Sequence, residues 1–239
     1  MKKLVVGNLK ANLSMNNIGD YIFNINSFLN DKHDVVICPS YIHIPFFTSE
    51  KFELGAQNVS IYDNGNYTGE ITAKQLKSSN IKYVIVGHSE RRELFDEKEN
   101  IINLKLKQCF KNELIPILCI GETKEDKLTN RTSQVLRRTL LETLNGLPKE
   151  YLSNLVIAYE PIWSIGTGIT PTIKEIEEII SFIRDIVRSA YKVEIKVLYG
   201  GSVNEDNIVK LKEVGNLDGF LIGGASNDAI TFSKIVDMI

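Results

Sequence analysis

Short apolar runs recur along the chain at 4–7, 35–38, 54–57, 83–86, 115–120, 155–159, 196–199 and 219–222. They are rich in Val and Ile and hold few polar residues. A strand with one wet face alternates in polarity. A strand covered on both faces does not, so these runs predict eight parallel strands buried between layers. Between them the period changes. In 172–191 the apolar positions Ile176, Ile179, Ile180, Ile183 and Val187 fall at three- and four-residue steps, the stripe of an amphipathic helix. Pro171 and Thr172 suit its start, and Glu175, Glu177 and Glu178 suit the positive end of its dipole. Segments 97–111, 132–144, 207–213 and 228–238 read as helices too. The stretch after the second run, "SYIHIPFFTSEKFE", is short and carries Pro45 inside it, so the second helix is the weakest of the series.

Eight strand–helix alternations in 239 residues predict an α/β fold, a closed (β/α)8 barrel with a single domain over 1–239. The competing arrangement is an open doubly wound sheet. It calls for a glycine fingerprint directly after the first strand. The chain has "VVGNLKAN" there, with one glycine and no GxGxxG, which favours the barrel.

Composition narrows the function without choosing it. A formal net charge of -2 leaves no bulk basic field for nucleic acid. No apolar run approaches the ~20 residues of a membrane span. The start, "MKKLVVGNLKAN", has an apolar run too short for a secretory leader. Cys38, Cys109 and Cys119 form no CxxC pair, and this odd, widely spaced set points to reduced thiols in a cytoplasm.

Barrels of this kind carry their chemistry at the carboxyl ends of the strands. After the first run come Asn8 and Lys10; after the fourth, "GHSERR" with His88 and Glu90. The fifth run ends around Cys119 and leads into "GET"; the sixth leads into Glu160. "GGS", ending at Ser202, follows the seventh, and "GGAS", beginning at Gly223, follows the eighth. Singly, most have a plain structural reading. Lys10 reads as a solvated surface lysine, His88 as a satisfied structural histidine and Glu90 as an ion-pair partner of Arg91 or Arg92. Cys119 reads as a small packed residue, and "GGS" as a loop. Glu160 is a poor helix cap, because Pro161, Ile162 and Trp163 follow it. Gly223 and Gly224 ahead of a small residue at a helix start leave backbone N–H groups bare for an anion. The argument rests on their conjunction around one barrel mouth.

Together "GNLKAN", "GHSERR", "AYEPIWSIGTG", "YGGSV" and "GFLIGGAS" resemble the triosephosphate isomerase family, in that family's order, from residue 7 to 226. The resemblance implies interconversion of dihydroxyacetone phosphate and D-glyceraldehyde 3-phosphate through an enediolate, in glycolysis and gluconeogenesis, with no cofactor and no metal. It makes Glu160 the base and His88 a neutral electrophile. Lys10 supplies fixed positive charge, Asn8 a hydrogen bond, and Glu90 a partner that orients Lys10. Gly166, Ser202, Gly223 and Gly224 bind phosphate through backbone N–H groups, with Asn8 and Lys10 beside the substrate. Cys119 packs behind Glu160, while Ile165 and Leu221 close over it. Pro161, Ile162 and Trp163 form one lid hinge, Ser164 and Ile165 the tip, and 166–168 the far hinge.

The family also forms homodimers through the loop after the third strand, here "YDNGNYTGEIT", with Thr68 reaching the neighbour's site. The expected partners are thus a small phosphorylated triose and a second copy, with no nucleic acid and no membrane. The chain departs from the family at Leu9 and Ala11, where Trp and Met are usual, at Ser164, where Ala is usual, and at Asn66, where a small residue is usual. Two other readings stand beside this one. A different barrel enzyme, acting on a sugar phosphate or an indole precursor, would keep the Gly223–Gly224 anion site without this lid. A non-catalytic barrel scaffold would not need Glu160, His88 and Lys10 together.

Overall fold

Val- and Ile-rich runs with no polar face can be buried on both sides only if each finds two strand neighbours and a helix outside. The computed structural model, which describes residues 2–239, closes them into one parallel barrel in chain order. The strands are β1 (Leu4–Asn8), β2 (Asp34–Cys38), β3 (Glu53–Ala56), β4 (Tyr83–Val86), β5 (Ile115–Ile120), β6 (Val156–Tyr159), β7 (Lys196–Tyr199) and β8 (Gly219–Ile222). Val5 pairs with Val35 on one side and with Phe220 on the other, which closes the ring.

Side-chain alternation divides the core in two. Leu4, Val6, Ile117, Cys119, Val156, Ala158, Leu198 and Leu221 fill the barrel interior. Their neighbours Val5, Leu118, Ile157, Tyr159, Val197 and Tyr199 face the helices. The period of two then extends past the strand ends. Asn8 continues the inward row of Leu4 and Val6, and Glu160 that of Val156 and Ala158. The chain thus aims both polar groups into the mouth by the same rule that packs the core.

The helices are α1 (Ile18–Phe28), α2 (Ala73–Ser78), α3 (Ser89–Leu94), α4 (Glu99–Lys111), α5 (Lys124–Leu128), α6 (Thr132–Thr143), α7 (Lys149–Leu152), α8 (Ile173–Tyr191), α9 (Ile208–Leu211) and α10 (Ala229–Met238). α8 is set by its ends. Thr172 and Glu175 make a reciprocal capping box, and Lys192 ends the helix in the left-handed conformation at φ 59°. The weak second helix is a 3-10 segment, Tyr41–Phe46, with Pro45 inside. The expected helix at 207–213 contracts to the single turn of α9. Among the described residues no helix is long and apolar enough to cross a membrane.

Candidate active site

A cavity of about 420 Å³ opens at the carboxyl ends of the strands, lined among others by Asn8, Lys10, His88, Glu160, Ser202 and Leu221. Gly166, Ile165, Gly223 and Gly224 also reach it. Groups separated by more than 200 residues of chain thus share one space. Two glycines make room for Glu160. A Cβ on Gly121 would lie 1.7 Å from the Glu160 backbone oxygen, and one on Gly200 would lie 2.9 Å from Glu160 Cγ. No larger residue fits at either position without moving the carboxylate or its backbone.

Glu160 is buried, with 2% of its surface exposed. His88 Nε2 stands 3.2 Å from Glu160 Oε1, and the Ser89 backbone N–H donates to Oε2 at 3.2 Å. His88 caps α3, and its Nδ1 accepts the Glu90 N–H at 3.3 Å. Nδ1 therefore carries no proton, so the neutral ring has its one proton on Nε2, facing Glu160 and the cavity. Cys119 lies in the interior beneath. Burial pushes its thiol well up, and the neighbouring Glu160 carboxylate adds to the rise, so it remains a neutral packing group.

Lys10 adopts φ 50°, an uncommon left-handed backbone for a residue with a side chain. Such strain persists only where the surroundings over-determine it. Here the Lys10 N–H donates to Asn8 Oδ1 at 3.2 Å. The Lys10 carbonyl accepts from Ser40 Oγ at 2.9 Å and from Gln57 Nε2 at 2.8 Å. Its Nζ pairs with the Glu90 carboxylate. A Cβ on Gly223 would come within 3.6 Å of Lys10 Nζ, so the ammonium also borders the glycine turn after β8. That turn opens the 3-10 segment Gly224–Asn227. It is tied down by Ser226, whose Oγ donates to the carbonyls of Gly223 at 2.6 Å and Asn8 at 3.1 Å, and whose own carbonyl accepts the Tyr21 hydroxyl at 2.9 Å.

The segment from Glu160 to Gly168 covers one side of the cavity. Trp163 donates its indole N–H to Glu122 Oε1 at 2.7 Å, an oxygen that also accepts the Tyr159 hydroxyl at 3.1 Å. Lys127 lies over the indole at 3.8 Å. Burial raises the Glu122 carboxyl above its ordinary range, and the bond from Trp163 draws it part of the way back. Gly166 and Gly168 take φ 71° and 75°, where glycine is unstrained. One expectation is corrected. Ser164 is not at the tip: it is fully buried, and its Oγ donates to the Ile169 carbonyl at 2.6 Å. The exposed tip is 166–169, with Ile169 63% exposed. A small residue whose N–H, hydroxyl and carbonyl all find partners sinks to the root of the loop.

Thr68 is exposed on the loop after β3 and does not line the cavity. Sequence reasoning passed over Ser89, Ser40, Gln57, Tyr21 and Glu122. Ser89 and Glu122 left a trace, in the "GHSERR" that follows β4 and the "GET" that follows β5. Ser40, Gln57 and Tyr21 act through hydrogen bonds to residues far along the chain, set by barrel closure. Among the described residues no group of three His, Cys, Asp or Glu side chains could hold a metal ion.

The fold and the mouth define a (β/α)8 barrel with a buried carboxylate–imidazole pair beside a lysine and a glycine turn. The family model for triosephosphate isomerase matches residues 3–239. A triosephosphate isomerase of Clostridium botulinum (strain Loch Maree / Type A3) is 40% identical, with 98% of each chain covered. One of Alkaliphilus oremlandii (strain OhILAs) is 37% identical, with 99% of each chain covered. The chain belongs to the triosephosphate isomerase family, and it is an isomerase.

Proposed function

We propose that the chain interconverts dihydroxyacetone phosphate and D-glyceraldehyde 3-phosphate through an enediolate, as a step of glycolysis and gluconeogenesis in the cytoplasm. The observation that carries this reading is the pairing of Glu160 with a His88 ring whose Nδ1 is already occupied. A carbon-bound proton beside a carbonyl is weakly acidic, and its removal needs a base and an electrophile acting together. Glu160 takes the proton, and its burial keeps bulk water away from the reacting carbon. His88, neutral, donates Nε2–H to the carbonyl oxygen and then moves a proton between the two oxygens. Lys10 and Asn8 stabilise the developing charge, and Glu90 orients Lys10. The proton returns to the neighbouring carbon, so the step balances with no external oxidant or reductant.

The substrate displaces two resting contacts. Its carbonyl takes the Nε2–H that Glu160 now accepts, and the carboxylate leaves the Ser89 N–H. The phosphate lies on backbone N–H groups of Gly223, Gly224, Ser202 and, from the lid, Gly166, with Lys10 nearby. Ile165 and Leu221 keep water from the base, and Cys119 packs beneath it.

The second partner is another copy of the chain. Tyr67 and Tyr62 stack at 4.0 Å and stay exposed on the loop after β3. Ile42, Phe46, Leu94 and Phe95 are exposed after β2 and β4. Apolar surface of this extent marks an interface, and Thr68 would reach the neighbour's Lys10 across it.

The test supplies glyceraldehyde 3-phosphate and removes dihydroxyacetone phosphate with a coupled dehydrogenase, following loss of NADH. Turnover is expected. No turnover by folded protein overturns the reading.

A further inference from the structure

Ser164 lies fully buried at the root of the lid, in a position where family resemblance leads one to expect alanine. Its hydroxyl has one proton to give and two lone pairs to offer. All three are engaged. Oγ donates to the Ile169 carbonyl at 2.6 Å, joining the root of the lid to its exposed tip. It accepts the Ser202 N–H at 3.4 Å. The Tyr199 hydroxyl stands 3.5 Å away; because the serine proton is already given to Ile169, Tyr199 is the donor of that contact. Burial pushes the Tyr199 hydroxyl up to about 12, so the phenol keeps its proton at neutral pH.

Ser202 lines the cavity. One backbone N–H cannot serve both Ser164 and a phosphate oxygen at full strength. The long 3.4 Å contact is the one that a charged acceptor displaces.

We propose that the Ser164 hydroxyl is a latch that couples phosphate binding to lid movement. At rest it ties the lid root to Ile169 and occupies the Ser202 N–H. A phosphate that takes this N–H removes one of the three partners and loosens the lid from the loop after β7. Ser164 acts through Ser202 and is a positioning residue. The latch rests on the reading of Ser202 as a phosphate donor.

The test compares the intact enzyme with Ser164→Ala and Ser164→Cys. Cysteine nearly keeps the volume but is a weak acceptor, so the pair separates lost packing from lost hydrogen bonding. Inorganic phosphate serves as probe, through its competitive Ki and its effect on the emission of Trp163, the chain's only tryptophan. In both variants Ki and KM are expected to fall about three- to tenfold, the worth of one released hydrogen bond. Their unliganded emission is expected to shift toward the phosphate-bound value of the wild type. Unchanged or weakened phosphate binding in a folded variant, with the wild type responding normally, overturns the latch alone. A wild type that ignores phosphate overturns the phosphate cradle and the latch with it. If Ser164→Ala does not fold, Ser164→Cys carries the comparison.

Discussion

Glu160 is held by contacts that leave its carboxylate little freedom: Gly200 against its Cγ, Ser89 and His88 on its oxygens. Shortening it by one methylene therefore misplaces the base rather than weakening binding. Glu160→Asp is expected to lower kcat about 100-fold while KM changes far less. Steady-state kinetics reads this, and an unchanged kcat counts against Glu160 as base. The two glycines around it separate catalysis from stability. Gly200→Ala presses on the Glu160 side chain rather than on backbone, so it is expected to displace the carboxylate and lower activity, with a smaller change in Tm than Gly121→Ala. Gly121→Ala presses on the Glu160 backbone oxygen, which cannot swing. It is expected to cost about 1–3 kcal/mol or more, seen as a lower Tm. Both alanine variants can be compared in one melting and one kinetic series.

The segment from Glu160 to Gly168, read as a lid in the proposed function, is anchored through Trp163. Trp163 hangs from Glu122, which sits at the end of β5 and also receives Tyr159 of β6. Burial raises the Glu122 carboxyl in the folded protein above its value in the unfolded chain. The folded state then binds a proton first as pH falls, so stability tied to this group rises between its raised folded value and the ordinary ~4.3 of the unfolded chain. As pH rises through the folded value, that stability is lost. Glu122→Gln does not titrate. The Tm of the wild type is thus expected to gain on that of Glu122→Gln as pH is lowered from 8 toward about 5. A constant difference across that range removes Glu122 as the titrating anchor.

Across the whole molecule, the segments after β2, β3 and β4 present exposed aromatic and aliphatic side chains. Lys105 Nζ donates to Asn58 Oδ1 at 2.7 Å and pairs with Glu97, which also takes Arg91 Nε at 2.6 Å. This network joins the base of the β3 loop to α3 and α4. Thr68→Glu places a charge on the β3 loop, in the proposed dimer face. It is expected to shift the protein from dimer to monomer, with activity falling in step. Sizing and assay on the same samples decide it, and a fully active monomer refutes the shared site.

Local pattern was enough for the barrel and for the positions of its polar groups. Uninterrupted apolar runs report strands covered on both faces, and the two-residue period carries Asn8 and Glu160 inward past the strand ends. Family resemblance, on motifs at those ends, then pointed to the reaction. Contacts that depend on closure left no such trace. The left-handed Lys10 is held by Ser40 and Gln57, from other strands' loops. Ser164, unexplained as one letter in "AYEPIWSIGTG", acquires three partners once the lid folds against the loop after β7. A hydrogen bond between residues tens of positions apart has no period to betray it, and only packing in three dimensions brings its donor and acceptor together.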